Sequence, residues 1–132
     1  MMKTNFVLQE GLQSTVDNAR GHEVVLDVPE SLGGTDKGPK AFELLAMSLN
    51  GCIGTMFAIM ARKMKLQLDE LRVELETEES ETIDSVRFTI YVKGDVDQDK
   101  VERCFALTEK SCPVGFLFKK AGVSFEHELV IL

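Results

Sequence analysis

Three cysteines and two histidines are the side chains in this 132-residue sequence best suited to nucleophilic or redox chemistry. Cys112 has the most telling context. Pro113 follows it, and proline fits the first position of a helix because it has no N–H to donate and its φ is already near the helical value. Cys112 then becomes the N-cap of a short helix, facing unpaired N–H groups and the positive end of the helix dipole. Such surroundings favour a thiolate and are expected to lower the pKa of the thiol. Cys52 lies in a long apolar run, on a stripe with Leu45, Ser48, Met56 and Ile59 at spacings of four and seven. A cysteine so placed is most often a small buried hydrophobe. Gly51 and Gly54 leave room for another element to approach this thiol, and Asn50 adds a polar group nearby. Cys104 shares a helical stripe with Val101, Phe105 and Thr108 and reads as core. Its spacing of eight from Cys112 fits no familiar metal pattern, and neither C-x-x-C nor H-E-x-x-H occurs. His22 opens a strand. His127 sits on an otherwise apolar strand face, where a satisfied core or rim histidine is commoner than a thiolate partner. No metal or cofactor is expected.

The elements that must position these residues are legible from periodicity. Val24, Leu26 and Val28 alternate with Glu23, Val25 and Asp27, after a turn at Asn18-Ala19-Arg20-Gly21, so the first third reads as a β-meander. Residues 29–40 hold three glycines and two prolines and form a loop. A long helix over residues 41–65 follows, roughly 37 Å in length. A globule of this size is about 36 Å across. A helix of that length, apolar nearly all round, favours a homodimer in which a partner covers its other side. Leu71, Val73 and Leu75 alternate with Arg72, Glu74, Glu76 and Glu78, and Val86, Phe88, Ile90 and Val92 alternate with Arg87, Thr89, Tyr91 and Lys93. Two such runs predict an antiparallel hairpin with one wet face, and residues 74–81 become a solvated glutamate cluster rather than a metal site. Asp97 is an N-cap candidate for a second helix that must stop by Cys112. A short helix after Pro113 ends at Lys119, Lys120 and Gly122. The last strand carries Val123, Phe125, His127, Leu129 and Ile131 on one face. The sum is a two-layer α+β domain, sheet against helices.

Composition narrows the function classes. A formal net charge of −7 argues against nucleic acid or an anionic membrane as partner. With 44% hydrophobic residues the chain can bury a core without disulfide or metal staples. Residues 44–61 are 18 consecutive uncharged positions, the lower limit for a membrane-spanning helix, but Ser48, Asn50, Gly51, Gly54 and Thr55 interrupt the run. A buried core helix is the better reading, with no membrane expected. The first ten residues lack the apolar stretch of a secretion signal. An odd, small number of cysteines suits a reducing cytoplasm, where any disulfide is transient and catalytic.

The run Gly38-Pro39-Lys40-Ala41-Phe42-Glu43-Leu44-Leu45, then Asn50-Gly51-Cys52, then Ser111-Cys112-Pro113-Val114, resembles the family of osmotically inducible protein C and the organic hydroperoxide resistance proteins. Residues 21–27 resemble its less-characterised branch. The likeness covers nearly the whole chain. It implies a single domain over residues 1–132, with antiparallel sheets packed on a long central helix. It also implies an intertwined homodimer with two active sites at the interface. By this resemblance Cys52 is the peroxidatic thiol and Cys112 the resolving one, so a Cys52 sulfenic acid condenses to a Cys52–Cys112 disulfide. The substrate is then a small organic hydroperoxide, which the apolar helix with Met47, Met56 and Met60 suits. A cellular dithiol is the reductant, and the role is defence against oxidative stress. The family arginine that supports the thiolate falls near Gln13 here, and the glutamate that holds it falls at Phe42. Arg20 and Glu43 are the neighbouring residues that could stand in. The alternative is a non-catalytic member that binds a small apolar ligand at the dimer interface, or a redox sensor.

Overall fold

Strand-forming residues fill residues 5–26 between short turns, and the structure, a computed structural model describing residues 1–78 and 80–132, folds them as a meander. The chain divides into two units, Met1–Met47 and Ser48–Leu132. In the first, β1 (Asn5–Glu10), β2 (Gln13–Asp17) and β3 (Glu23–Leu26) pair antiparallel in the order β1-β2-β3. The expected turn between β2 and β3 is present. Asp17 accepts from the Ala19 N–H, Asn18 accepts from Arg20 and His22, and Ala19 and Gly21 both take positive φ. The loop that follows is organised by one carboxylate. Asp27 is buried and accepts from the N–H groups of Val28, Thr35 and Lys37 and from the Thr35 hydroxyl. These donors, Lys37 first, hold its carboxyl down at about 2. Gly34 completes the turn, since a β-carbon there would collide with the Val28 carbonyl oxygen.

The helix α1 (Ala41–Lys63) begins in the first unit and continues into the second. The Glu43 carboxylate accepts from the Lys40 N–H at 3.0 Å, the reciprocal half of a capping box. At its far end Lys65 takes φ 57°, with Leu66 N–H bonded to Ala61 O and Lys65 N–H to Arg62 O. This double closure ends the helix two residues before the expected position. By length and composition α1 could cross a bilayer. Its Leu49, Ile53, Phe57, Met60 and Ala61 are buried, about 28% of the apolar stretch, and the rest of that stretch, Leu45, Met47 and Ile59 included, is half-buried or exposed.

In the second unit the predicted hairpin is β4 (Gln67–Glu76) paired antiparallel with β5 (Ser85–Asp95). Val86, Phe88, Ile90 and Val92 are buried, and Glu74, Glu76, Glu78 and Glu81 are exposed. Glu79, the remaining member of that cluster, lies outside the described residues. α2 (Gln98–Ser111) starts at Asp97, whose carboxylate accepts from the Lys100 N–H at 2.9 Å. Val101, Cys104, Phe105 and Thr108 form its buried stripe, as the spacing predicts. α3 (Pro113–Lys120) and β6 (Ser124–Ile131) complete the unit. One expectation fails: β6 pairs parallel to β5, so the second sheet, β4-β5-β6, is mixed rather than antiparallel. The two helices between β5 and β6 form a crossover, and a crossover returns the chain to the end where it started. Alternation fixes which face a strand buries, not its direction. The result is a mixed α+β architecture of two three-stranded sheets and one long helix.

Candidate active site

Within the second unit, α1 and the α2–α3 junction bring two thiols together. The sulfurs of Cys52 and Cys112 lie 2.7 Å apart and neither is in a disulfide. That is about 0.7 Å beyond the length of an S–S bond, so closure needs almost no movement of the backbone. Cys52 is half-buried on α1, whereas Cys112 is only 2% exposed.

The position of Cys112 follows from its neighbours. α2 stops because Pro113 cannot extend it, and Pro113 opens α3 at its first position. Cys112 is the N-cap of α3, and its sulfur accepts from the Gly115 N–H at 3.3 Å. The geometry is the one predicted, but its electrostatic consequence is not. Burial, with the neighbouring Cys52, pushes the Cys112 thiol up to about 11 despite the Gly115 and Val114 N–H groups. Removing a thiolate from water outweighs two N–H dipoles. The expectation of a lowered Cys112 pKa is therefore corrected.

The glycines beside Cys52 also behave differently from the expectation. A side chain at Gly51 would meet open space, and one at Gly54 would rest on Val73. What approaches Cys52 is Cys112 at the start of α3, and the glycine that leaves room for the Cys112 sulfur is Gly115. A β-carbon there would sit 3.3 Å from the Cys112 sulfur and 3.6 Å from the Phe125 ring. Sequence reading missed Gly115, although a glycine two residues after the helix-opening proline was a visible signal. Asn50, the polar group expected near Cys52, holds two elements together. Its amide donates to the Val73 carbonyl at 3.1 Å and ties α1 to β4, while its own buried oxygen has no partner among the described residues.

The other candidates are placed as follows. Cys104 is fully buried, with its thiol 3.6 Å from the Phe57 carbonyl, and burial pushes it up to about 11. It is core, as its stripe predicts. His127 is a rim residue, its ring 4.2 Å from Phe105 and its Nε2 3.5 Å from a Glu102 oxygen. His22 bonds Asn18 in the β2–β3 turn. Arg20 is exposed in that same turn, and Glu43 is occupied at the start of α1. Both belong to the first unit, as does Gln13 on β2. Among the described residues no group of three or more histidine, cysteine or carboxylate side chains is arranged to hold a metal.

Two thiols in near-bonding contact, one accessible and one buried, can exchange two electrons with a small oxidant. The family model described as OsmC-like protein matches residues 34–128. Among solved structures, an OsmC-like protein from Mycoplasma pneumoniae superposes with a TM-score of 0.86 at 14% identity, covering 100% of this chain and 97% of that one. The organic hydroperoxide resistance protein OsmC from Legionella pneumophila gives 0.70 at 17%, covering 98% and 96%. The organic hydroperoxide resistance protein OhrB of Bacillus subtilis gives 0.66 at 17%, covering 98% and 97%. At these identities the likeness is one of fold. No curated protein matches the sequence.

Proposed function

Because this chain belongs to the OsmC-like protein family, we propose that it is a thiol-dependent peroxidase for organic hydroperoxides. The observation that carries this reading is the 2.7 Å separation of the Cys52 and Cys112 sulfurs. Cys52, the accessible one, attacks the distal peroxide oxygen as a thiolate and becomes a sulfenic acid, and an alcohol leaves. Cys112 then displaces the hydroxyl to form the disulfide. A cellular dithiol reduces the disulfide by exchange. Met56 on the Cys52 stripe, with Phe116 and Leu117 at 62% and 65% exposed on α3, favours an organic rather than a fully polar peroxide.

The working unit in this reading is a cytoplasmic homodimer. Leu45, Met47 and Ile59 are exposed along α1, and Phe6, Val7 and Leu8 along β1, more apolar surface than a lone chain ordinarily leaves in water. Sedimentation velocity at low micromolar concentration should give a dimer, and a folded monomer would reject it.

One equivalent of cumene hydroperoxide should remove two thiols per chain and leave Cys104 free, with the Cys52–Cys112 peptide pair found by mass spectrometry. Retention of all three thiols after prolonged exposure to several organic peroxides rejects the peroxidase. The second reading, a non-catalytic protein binding a small apolar ligand or sensing redox state, is favoured by Gln13 and Phe42 at the family's arginine and glutamate places. Under it, the thiols survive peroxide.

A further inference from the structure

The two sulfurs are not equivalent hydrogen-bonding partners. At Cys112 the Gly115 N–H, 3.3 Å away, can only donate, so the sulfur accepts there and keeps its own proton for another partner. The sulfur within reach is Cys52, at 2.7 Å. Cys112 is also shut off from water at 2% exposure, while Cys52 is half-buried and open to a small oxidant. The donor is thus the buried thiol and the acceptor the accessible one.

We propose that Cys112 acts before it resolves: its S–H donates to the Cys52 thiolate and then gives its proton to the alkoxide leaving group. For its substrate the step rests on the peroxidase reading. As the Cys52 thiolate attacks the distal oxygen of ROOH, the S–O bond forms and the O–O bond breaks. The proximal oxygen leaves as alkoxide with the bonding pair. It takes the Cys112 proton and departs as ROH. Cys112 is now a thiolate beside the Cys52 sulfenic acid. It attacks that sulfur, the S–S bond forms, the S–O bond breaks, and hydroxide leaves into the solvent. One thiolate, one thiol and one peroxide become one disulfide, one alcohol and one hydroxide, and the external dithiol supplies two electrons for the next cycle.

This sequence accounts for a buried resolving thiol. Burial holds Cys112 at about 11, so it stays protonated at neutral pH and would be a poor nucleophile if it had to ionise alone. An alkoxide is a far stronger base than a thiolate and removes that proton readily. The resolving thiolate is therefore made only where and when a sulfenic acid has formed. The polar contacts of the two sulfurs among the described residues are each other and the Gly115 and Val114 N–H groups, so no other side chain competes for the donor role.

The test compares Cys112→Ala with Cys112→Ser in the full-length protein. Alkylation of Cys52 by iodoacetamide, followed across pH with the site assigned by peptide mass spectrometry, needs no peroxide and reads the donor alone. Cys112→Ala should slow it about tenfold or more near neutral pH, the effect of losing one hydrogen bond to a charged sulfur. Cys112→Ser keeps an O–H and should restore most of the rate. Equal alkylation profiles in wild type and both variants overturn the proposal. Wild-type protein gives a second reading: loss of the Cys52 thiol in a single turnover with cumene hydroperoxide should be slower in D2O, and the Ala variant should lose that isotope effect. An isotope effect unchanged in the Ala variant also overturns it. If no form reacts with peroxide, the peroxidase reading fails, and the alkylation profiles still decide whether Cys112 is the donor.

Discussion

Cys112 and Gly115 are fitted to each other: the Gly115 N–H caps the sulfur at 3.3 Å, and a β-carbon on Gly115 would lie at the same 3.3 Å from that sulfur. Gly115→Ala sets two effects against each other. Alanine raises helix propensity by up to about 1 kcal/mol. The added methyl pushes the thiol by a few tenths of an ångström and crowds Phe125. Thermal melting should therefore change little. The rate at which an oxidant closes the Cys52–Cys112 pair should fall severalfold, because closure depends on sulfur placement at sub-ångström precision. An unchanged closure rate in a folded Gly115→Ala protein would show that the contact does not control the thiol.

Asp27 supplies the pH dependence. Its carboxyl is at about 2 in the folded protein and at about 3.9 when unfolded, so the folded state prefers the ionised form. The stabilisation is fully present above the unfolded value and is lost as pH falls through about 4 toward about 2. Protection of the Thr35 and Lys37 amides from hydrogen exchange, measured against the intrinsic rate at each pH, should fall across that window, since both donate to this carboxylate. Asp27→Asn should exchange faster at neutral pH and show a much smaller acid step. An acid step of wild-type size in Asp27→Asn would assign it to another group.

Much of this arrangement was legible because it is local. Asp97 as a cap, Pro113 at the start of α3 and the Val101–Cys104–Phe105–Thr108 stripe are each set within a few residues, and each stands where its spacing puts it. What failed depends on distant neighbours. Cys112 has the cap expected of it, but its ionisation is decided by burial against elements far along the chain. The parallel pairing of Phe88 with His127 is invisible in two alternating strands, since a reversed register buries the same faces. Gly51 and Gly54 looked like the space beside Cys52, and the glycine packed against the thiol pair is Gly115, beside the Cys112 sulfur and 63 positions beyond Cys52. The meeting of Cys52 and Cys112 follows from no spacing rule, and only the family resemblance pointed to it.

Cys104 separates a core thiol from reactive ones. It is fully buried, and its neighbours are Phe57 and its own helix. Cys104→Ala should cost about 1 kcal/mol through the small cavity it leaves, measurable by urea unfolding. Peroxide consumption should be unchanged, and the oxidised protein should contain no free thiol. Loss of turnover in a folded Cys104→Ala protein would mean that the division among the three cysteines is wrong.

The order of steps gives the last prediction. If Cys52 attacks, Cys52→Ser should abolish peroxide consumption outright, because a serine hydroxyl at neutral pH is not a comparable nucleophile. Cys112→Ser keeps a hydroxyl beside the attacking sulfur and should still make one attack. It cannot form the disulfide, so it stalls as a Cys52 sulfenic acid that dimedone traps and excess peroxide drives to sulfinic acid. Intact mass should then rise by one oxygen and later by two in Cys112→Ser, and by neither in Cys52→Ser. Reversing the roles reverses the pattern, because only the attacking sulfur ever carries oxygen. Oxygen found on Cys112 in the Cys52→Ser protein would make the buried thiol the nucleophile. The burial that holds Cys112 protonated would then have to be relieved by a movement before each attack.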